Sequence, residues 1–309
     1  MHTQPEITPA NWGMVGTLGL VWGATFLFIE LALTGITPFW LAAGRIGFAC
    51  LLTCAVWQVR GGRVFLTDQT AWGALMLSGL FNSAIPFMLL SWGQQTVTSG
   101  FAGVSMASVA LIVLVLAHLF VPGERITLRR MIGLMIGFVG VTILLGGQVF
   151  ASSGDPMEPF GRMACVGAAA CYASSSVLVR NLPPIDPFGL AALTLVFGSA
   201  LVLPTAFVAE GPPPLPAPDI LFLIAILGLI PTAGANLLRI LVIRSAGPVF
   251  LSLVNYQVPM WSVILGIVIL NEPFKPVLLL AMSLILCGMF VSQWGALMRL
   301  FGRGVTPSS

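Results

Sequence analysis

The hexapeptide PFWLAA at residues 38–43 returns as PFGLAA at residues 187–192, an offset of 149 residues, and this recurrence decides the architecture of the chain. Other matches lie within two positions of the same offset. They pair Gly100 and Ser105 with Gly247 and Ser252, and Glu124 and Gly140 with Glu272 and Gly288. Three anchors that agree so closely predict a duplication, in which the second half of the protein repeats the first.

Each half of the chain carries five apolar stretches about as long as a membrane-spanning helix. Crossing about 30 Å of hydrocarbon as an α-helix takes about 20 residues. The predicted spans are residues 12–33, 38–59, 70–92, 100–121 and 131–147 in the first half, and residues 163–179, 187–209, 220–243, 249–270 and 276–297 in the second. Since five is odd, the second half must enter the membrane from the opposite side, so the repeats are inverted.

The composition agrees with a membrane protein. Hydrophobic residues make up 58% of the chain and charged residues 7%, which excludes a soluble globule with a polar surface. The apolar runs are continuous, as in helices, rather than alternating as in half-buried strands. We therefore predict an all-α membrane protein of ten transmembrane helices in two inverted five-helix repeats, residues 1–147 and 160–298. A linker at 148–159 joins the repeats, and a cytoplasmic tail follows at 299–309.

Positive charges lie mostly on one side of the predicted helices. If the N-terminus is cytoplasmic, the inside arginines are Arg60, Arg63, Arg125, Arg129, Arg130, Arg180, Arg239, Arg244, Arg299 and Arg303. Only Arg162 and Lys275 fall outside, and Arg45 falls within the membrane. By the positive-inside rule, both termini are predicted to be cytoplasmic in a multi-pass protein of a bacterial cytoplasmic (inner) membrane.

Several functional classes are not expected. The cysteines all fall inside predicted spans and lack metal-ligand spacing, so the sequence predicts no metal site, no disulfide framework and no cofactor. The net charge of +3 comes from arginines at helix ends, and it indicates topology rather than nucleic-acid binding. The aspartates fall in loops or at span ends, where they cannot form a catalytic pair inside the membrane. An enzyme is therefore not expected.

Ionisable side chains inside a bilayer need a reason, because a charge at its centre costs about 2.5–3.5 kcal/mol. Glu30 and Arg45 lie at similar depth in the first two spans, and we expect a structural pair. The functional alternative is an outer gate or a site for a substrate carboxylate. Arg239 is expected to extend to the interface from the inner end of the eighth span. No group of basic residues at the midplane is apparent.

A polar stripe in the ninth span is the strongest indication of a binding site. Ser252, Asn255, Tyr256 and Pro259 follow the spacing i, i+3, i+4, i+7 and would share one face of a continuous helix. Other spans add polar and aromatic residues of similar kinds. The predicted substrate-binding residues are Trp22, Phe26, Asn82, Trp92, Ser105, Ser108, Tyr172, Ser176, Asn236, Ser252, Asn255 and Tyr256. For each residue alone, interhelical hydrogen bonding is the structural alternative.

Small residues predict close helix packing. Gly133, Gly137 and Gly140 line the fifth span, where backbones can approach each other directly. Such a face also serves dimerisation in some proteins, so we expect a monomer or a weak homodimer. The expected partners are the lipid bilayer and a small-molecule substrate.

The chain resembles the drug/metabolite transporter superfamily, and within it the ten-helix exporters of the EamA type. The residues that carry the resemblance are Trp22-Gly23, Arg45, PGER at 122–125 followed by Gly133, Gly137 and Gly140, LSLVNYQVP at 251–259, and LNE at 270–272 followed by Gly288. The likeness covers essentially the whole chain, and its glutamate-then-glycines segment occurs in both halves. The resemblance implies a carrier that moves small organic solutes out of the cell. Within the family, it favours the branch of aromatic amino-acid exporters.

Residues and resemblance together predict a secondary transporter, because inverted repeats often hold a midplane site and alternate its access. The expected solutes are amino acids with aromatic or other large neutral side chains, exported by alternating access without obligatory proton coupling. Two alternatives stay open. One is a polyspecific exporter of drugs, amphipathic metabolites or nucleosides, and the other is a channel-like facilitator.

Overall fold

The computed structural model describes residues 7–93, 95–97, 99–145, 155–270 and 277–302. Within these ranges the chain is helical apart from its connections, which include one isolated antiparallel bridge between Phe65 and Ile185. The first half contains α1 (Pro9–Leu33), α2 (Pro38–Val59), α3 (Trp72–Gly79, a π-helical segment Leu80–Ala84, and Ile85–Gly93), α4 (Ser99–Phe120) and α5 (Leu128–Leu145). The second half contains α6 (Glu158–Asn181), α7 (Pro187–Glu210), α8 (Pro218–Leu227, a π-helical segment Gly228–Gly234, and Ala235–Ala246), α9 (Pro248–Leu251 and Val254–Leu270) and α10 (Val277–Gly302).

The predicted architecture of two five-helix repeats is confirmed, and each predicted span corresponds to one of these helices. Among the described residues, five segments are long and apolar enough to cross a membrane: Pro38–Val59, Trp72–Gly93, Glu158–Asn181, Pro187–Glu210 and Pro218–Ala246. The largest differences in a boundary are five residues, at the start of α6, which begins at Glu158 rather than at Met163, and at the end of α10, which extends to Gly302 rather than to Leu297. The start of α6 has a local explanation. Polar residues extend this helix beyond its apolar part, because Glu158 and Arg162 form an ion pair one turn apart.

The recurring hexapeptide marks the start of a helix in each half. Its proline occupies the first turn of both α2 and α7, where no backbone N–H is needed. Asp186 caps α7 by accepting a hydrogen bond from the Gly189 backbone N–H at 2.8 Å. For α2 the carboxylate comes from the other half of the chain. Glu210, the last residue of α7, accepts hydrogen bonds from the backbone N–H groups of Phe39 at 3.0 Å and Trp40 at 3.1 Å.

The two halves are interleaved rather than placed side by side. α1 packs on α8 and α9, and its repeat equivalent α6 packs on α3 and α4 in the same way. The contact of α2 with α8 likewise recurs as the contact of α7 with α3. The remaining large contacts join equivalent helices, α2 with α7 and α5 with α10. This arrangement is the one that a pseudo-two-fold axis relating the halves produces.

The contact between α5 and α10 depends on glycine, as the sequence predicts. A Cβ atom on Gly288 would lie 2.4 Å from the Gly137 nitrogen and 2.5 Å from the Gly133 oxygen. A Cβ on Gly133 would lie 2.4 Å from the Ser292 nitrogen. These distances leave no room for a side chain, so the two backbones touch. The contact also explains why Gly140 and Gly288 recur at the repeat offset, since both lie in this pair of equivalent helices.

Candidate functional site

The interruption of helical geometry at matching positions in α3 and α8 defines the centre of the candidate site. The two π-helical segments begin at Leu80 and Gly228, and these positions differ by the repeat offset of 148 residues. A π-helical segment changes the direction of side chains within a helix and is frequently found at functional sites. Pro231 lies inside the second segment, and the Trp22 indole of α1 donates a hydrogen bond to its carbonyl at 3.0 Å. This bond joins the two halves of the chain.

A cavity of about 160 Å³ lies beside these segments and is lined by residues of both halves. A dry cavity of about 150 Å³ is known to hold a benzene molecule, so this cavity has room for about one aromatic ring. The lining is mostly apolar and includes Phe87, Leu90, Met106, Val109 and Leu195. An apolar wall with few polar groups is the usual build of a site for a small organic molecule.

Seven of the predicted binding residues line this cavity. They are Trp22, Asn82, Tyr172, Ser176, Asn236, Ser252 and Asn255. The amides of the two central residues meet directly, because Asn82 Nδ2 donates a hydrogen bond to Asn236 Oδ1 at 2.9 Å. Asn236 also donates to the Thr194 hydroxyl at 3.4 Å. A polar chain therefore crosses from α3 in the first half to α8 and α7 in the second.

The other predicted binding residues have different positions. Trp92, Ser105 and Ser108 are not part of the cavity lining, and the Ser108 hydroxyl donates to the Ser105 carbonyl within its own helix. Tyr256 is 1% exposed and is not part of the cavity lining, and its hydroxyl donates to the Leu134 carbonyl of α5 at 3.0 Å. The side chain of Phe26 lies outside the described residues.

The prediction of one continuous helix in the ninth span is wrong. α9 is interrupted at Ser252 and Leu253, which form a turn between its two parts. Backbone hydrogen bonds at this point link residues three apart, from Asn255 N–H to Ser252 O at 3.1 Å and from Tyr256 N–H to Leu253 O at 3.2 Å. The tighter turn changes the register, so Ser252 and Asn255 line the cavity while Tyr256 packs against α5.

The expectation that Arg239 extends to the membrane interface is also wrong. Its side chain is 4% exposed and lines the cavity, where Nη2 donates to the hydroxyl of Ser175 at 3.2 Å and of Ser176 at 3.1 Å. The serine pair on α6 holds the guanidinium in the interior, so the side chain has no need to reach water. Without Arg239, nine inside arginines still outnumber the two outside cations.

Arg45 lines the same cavity and is 8% exposed. Its guanidinium carbon lies 4.5 Å from the centre of the Phe87 ring, a distance that gives a cation–π interaction. Its Nη2 donates to the Thr232 hydroxyl at 3.4 Å. The predicted partner, Glu30, has its side chain outside the described residues, so the pair stays a prediction. No group of basic residues was expected at the site, yet Arg45 and Arg239 both line the cavity.

Sequence reasoning missed Thr232 as a partner of Arg45 and missed the convergence of the two arginines. A signal was present in the chain. Arg244 follows Arg239 by five residues and lies nearer the end of α8, which leaves the earlier arginine more than a turn inside the helix. The adjacent serines of α6, at 175 and 176, are the matching polar partners. Which helices meet, however, depends on tertiary packing.

Comparisons with known proteins agree with this architecture. An uncharacterised transporter of Archaeoglobus fulgidus is 26% identical over 194 residues, covering 63% of this chain and 66% of that protein. The uncharacterised inner membrane transporter YedA of Escherichia coli strain K12 is 24% identical over 276 residues, covering 89% of this chain and 87% of that protein. A protein crystal structure with 20% identity matches the fold with a TM-score of 0.78 over 95% of this chain and 99% of its own.

One protein family matches the chain twice, in agreement with the duplication. The profile of the EamA-like transporter family matches residues 12–146 and again residues 159–294, once in each half of the chain. The described helices of each matched range form one five-helix repeat. This multi-pass membrane protein is a member of the EamA-like transporter family.

Proposed function

We propose that this protein is a carrier that exports a small, partly apolar metabolite by alternating access between its two halves. We infer that the transported solute is an amino acid with an aromatic or other large neutral side chain. The observation that carries the proposal is the position of the cavity, which lies between two pseudo-symmetric halves and takes its polar groups from both. Inverted-repeat transporters use a site in this position.

In the proposed cycle, contacts between the two halves beside the cavity break and re-form. The hydrogen bonds from Asn82 to Asn236 and from Trp22 to Pro231 link the halves directly. Both involve the π-helical segments or the residues next to them, where the regular helical hydrogen bonds are already interrupted. In the proposed cycle these contacts part when the cavity opens to one side.

Transport in liposomes tests the proposal. Uptake of labelled phenylalanine by the purified protein should saturate, and unlabelled phenylalanine inside the liposomes should accelerate it. Asn236→Ala should reduce this flux by about tenfold or more, because it removes a buried amide that bonds on both sides. Gln58→Ala is the control, since the Gln58 amide is exposed in the last turn of α2. Flux that rises linearly with concentration and shows no trans-stimulation would instead indicate a channel-like facilitator.

Proton coupling is not part of the proposed cycle. Among the described residues that line the cavity, none is an aspartate, a glutamate or a histidine. Those are the side chains that most often carry protons inside membranes. In the same liposomes, an imposed pH difference should therefore not drive phenylalanine accumulation. Accumulation that Glu30→Gln abolishes would contradict this expectation.

We further propose that both termini face the cytoplasm across a bacterial inner membrane. The excess of arginines on one side supports this orientation. Single cysteines at Ser153 and Pro213 in a cysteine-free background should react with an impermeant thiol reagent added to intact cells. A cysteine at Gly62, in the loop after α2, should react only after the membrane is opened. Labelling at Gly62 in sealed cells would reverse the proposed orientation.

A further inference from the structure

Two arginines from opposite halves of the protein meet at the cavity. Arg45 comes from α2 in the first half and Arg239 from α8 in the second, and both side chains are more than nine-tenths buried. Tyr172 lines the same cavity. The cavity therefore has two positively charged side chains in a lining that also contains uncharged polar groups and a larger apolar part.

Most hydrogen-bond donors of these two arginines are not engaged by the described residues. A guanidinium carries N–H groups on all three of its nitrogens. In each arginine only Nη2 donates to a described side chain, to Thr232 in one case and to Ser175 and Ser176 in the other. The Nε atom of Arg45 is buried with no hydrogen-bond partner among the described residues. A buried donor without a partner costs free energy, and an anion beside the guanidinium would offset part of this cost.

No described acidic side chain neutralises the pair. The ion pairs of the described residues are Arg130 with Glu124 and Arg162 with Glu158, both away from the cavity. Hydroxyl groups and the Phe87 ring orient the two guanidinium groups but bring no negative charge. Burial of an unpaired charge is strongly unfavourable. An anion in the cavity would remove this penalty for Arg239, and at Arg45 it would add to the predicted pair with Glu30.

The two arginines do not occupy equivalent positions of the two repeats. At the offset of 149 residues Arg45 corresponds to Thr194, and at the offset of 148 residues Arg239 corresponds to Ser91. Ser91 also lines the cavity, and Thr194 is buried next to it against Asn236. Each half thus places one arginine where the other half has a hydroxyl. A ligand held by both arginines would bind the two halves together.

We propose that the solute is recognised through a carboxylate, held between Arg45 and Arg239, and that an amino group is not required. This inference rests on the proposed carrier function and names the chemical class of its substrate. A carboxylate accepts two parallel hydrogen bonds from a guanidinium, which matches the unused donors. The apolar wall takes a hydrocarbon body about the size of one ring. A deaminated acid should therefore bind at least as well as the amino acid of the same size.

A size-matched series tests the proposal on the wild-type protein in liposomes. The probes are 3-phenylpropionate, phenylalanine, phenethylamine and 3-phenylpropanamide, each offered as a competitor for labelled 3-phenylpropionate. We expect the two carboxylates to compete and the amine and amide to fail. Equal competition by all four compounds would overturn the proposal while leaving a carrier for apolar solutes. If no probe shows saturable uptake or competition, the proposed function fails together with this inference.

Variants test the role of each arginine. Arg45→Gln and Arg239→Gln should each weaken carboxylate competition by about tenfold or more, since a charge-assisted hydrogen bond is lost. Arg45→Lys and Arg239→Lys keep the charge and should retain part of the affinity, and they are the variants to use if a glutamine variant does not fold. Arg129→Gln, at an exposed position of α5, is the control. Glutamine or lysine variants that elute like the wild type and bind with unchanged affinity would refute the proposal.

Discussion

Replacing Tyr256 by alanine is expected to lower the free energy of unfolding by about 3–5 kcal/mol, as is usual when a buried aromatic side chain is removed. The ring is 1% exposed and lies between α9 and α5. It packs against Gly137, where a Cβ atom would already lie 3.4 Å from the ring. Thermal unfolding of the purified protein in detergent measures the effect. Tyr256→Phe, which keeps the ring and removes the hydroxyl, should lose only about 1 kcal/mol.

The adjacent Asn255→Ala should behave in the opposite way. Asn255 lines the cavity, and its side-chain nitrogen donates to the Ser252 carbonyl in the interruption of α9 at 3.1 Å. We expect a thermal stability close to that of the wild type and a saturable flux lowered by about tenfold. If both alanine variants fold normally and both lose flux, Tyr256 belongs to the solute path after all. If Asn255→Ala transports normally, the interruption of α9 does not contact the solute.

Replacing Gly288 by alanine is expected to separate α5 from α10 and to lower the free energy of unfolding by about 1–3 kcal/mol or more. The new Cβ would lie 2.4 Å from the Gly137 nitrogen and 2.5 Å from the Gly133 oxygen. Both atoms belong to the backbone, so no side chain can turn away to make room. The yield of monodisperse protein and its unfolding temperature in detergent measure the change.

Gly47→Ala in α2 is the matched control, because nothing lies within 4 Å of the position its Cβ would take. At this position the substitution should be neutral or stabilise the helix by up to about 1 kcal/mol, the usual difference between alanine and glycine. The two alanine variants should therefore move the unfolding temperature in opposite directions. A Gly288→Ala protein as stable as Gly47→Ala would contradict the backbone contact between α5 and α10.

The repeated hexapeptide shows which features of helix starts can be predicted from the sequence. PFWLAA and PFGLAA mark the beginnings of α2 and α7 because proline suits the first turn of a helix, a local preference that needs no tertiary contact. The α2 cap was not predictable in this way. Its carboxylate belongs to Glu210, 171 residues from the Phe39 backbone N–H that it accepts from. Only the packing of α7 against α2 brings the two groups together.

Some residues of the candidate site were likewise predictable from the sequence, and others depended on tertiary contacts. Polar residues in apolar spans identified seven members of the cavity lining, because a hydroxyl or amide inside a membrane needs a partner. Helical periodicity assigned Ser252, Asn255 and Tyr256 to one face, but the turn at Ser252 and Leu253 changes the register between Ser252 and the two residues that follow it. Charge counting assigned Arg239 to the interface, because the serines that hold it inside lie on another helix.

The amino-acid sequence by itself determined the number of membrane-length helices, their division into two repeats and the inversion of one repeat relative to the other. The number of helices follows from hydropathy along the chain, and the inversion follows from the odd number of spans in each repeat. Neither property depends on tertiary contacts. The tertiary structure alone decided that Arg45 and Arg239 face one cavity and that Tyr256 does not. The reason is physical, since the direction of a side chain depends on local interruptions of the helix and its partners come from helices distant in sequence.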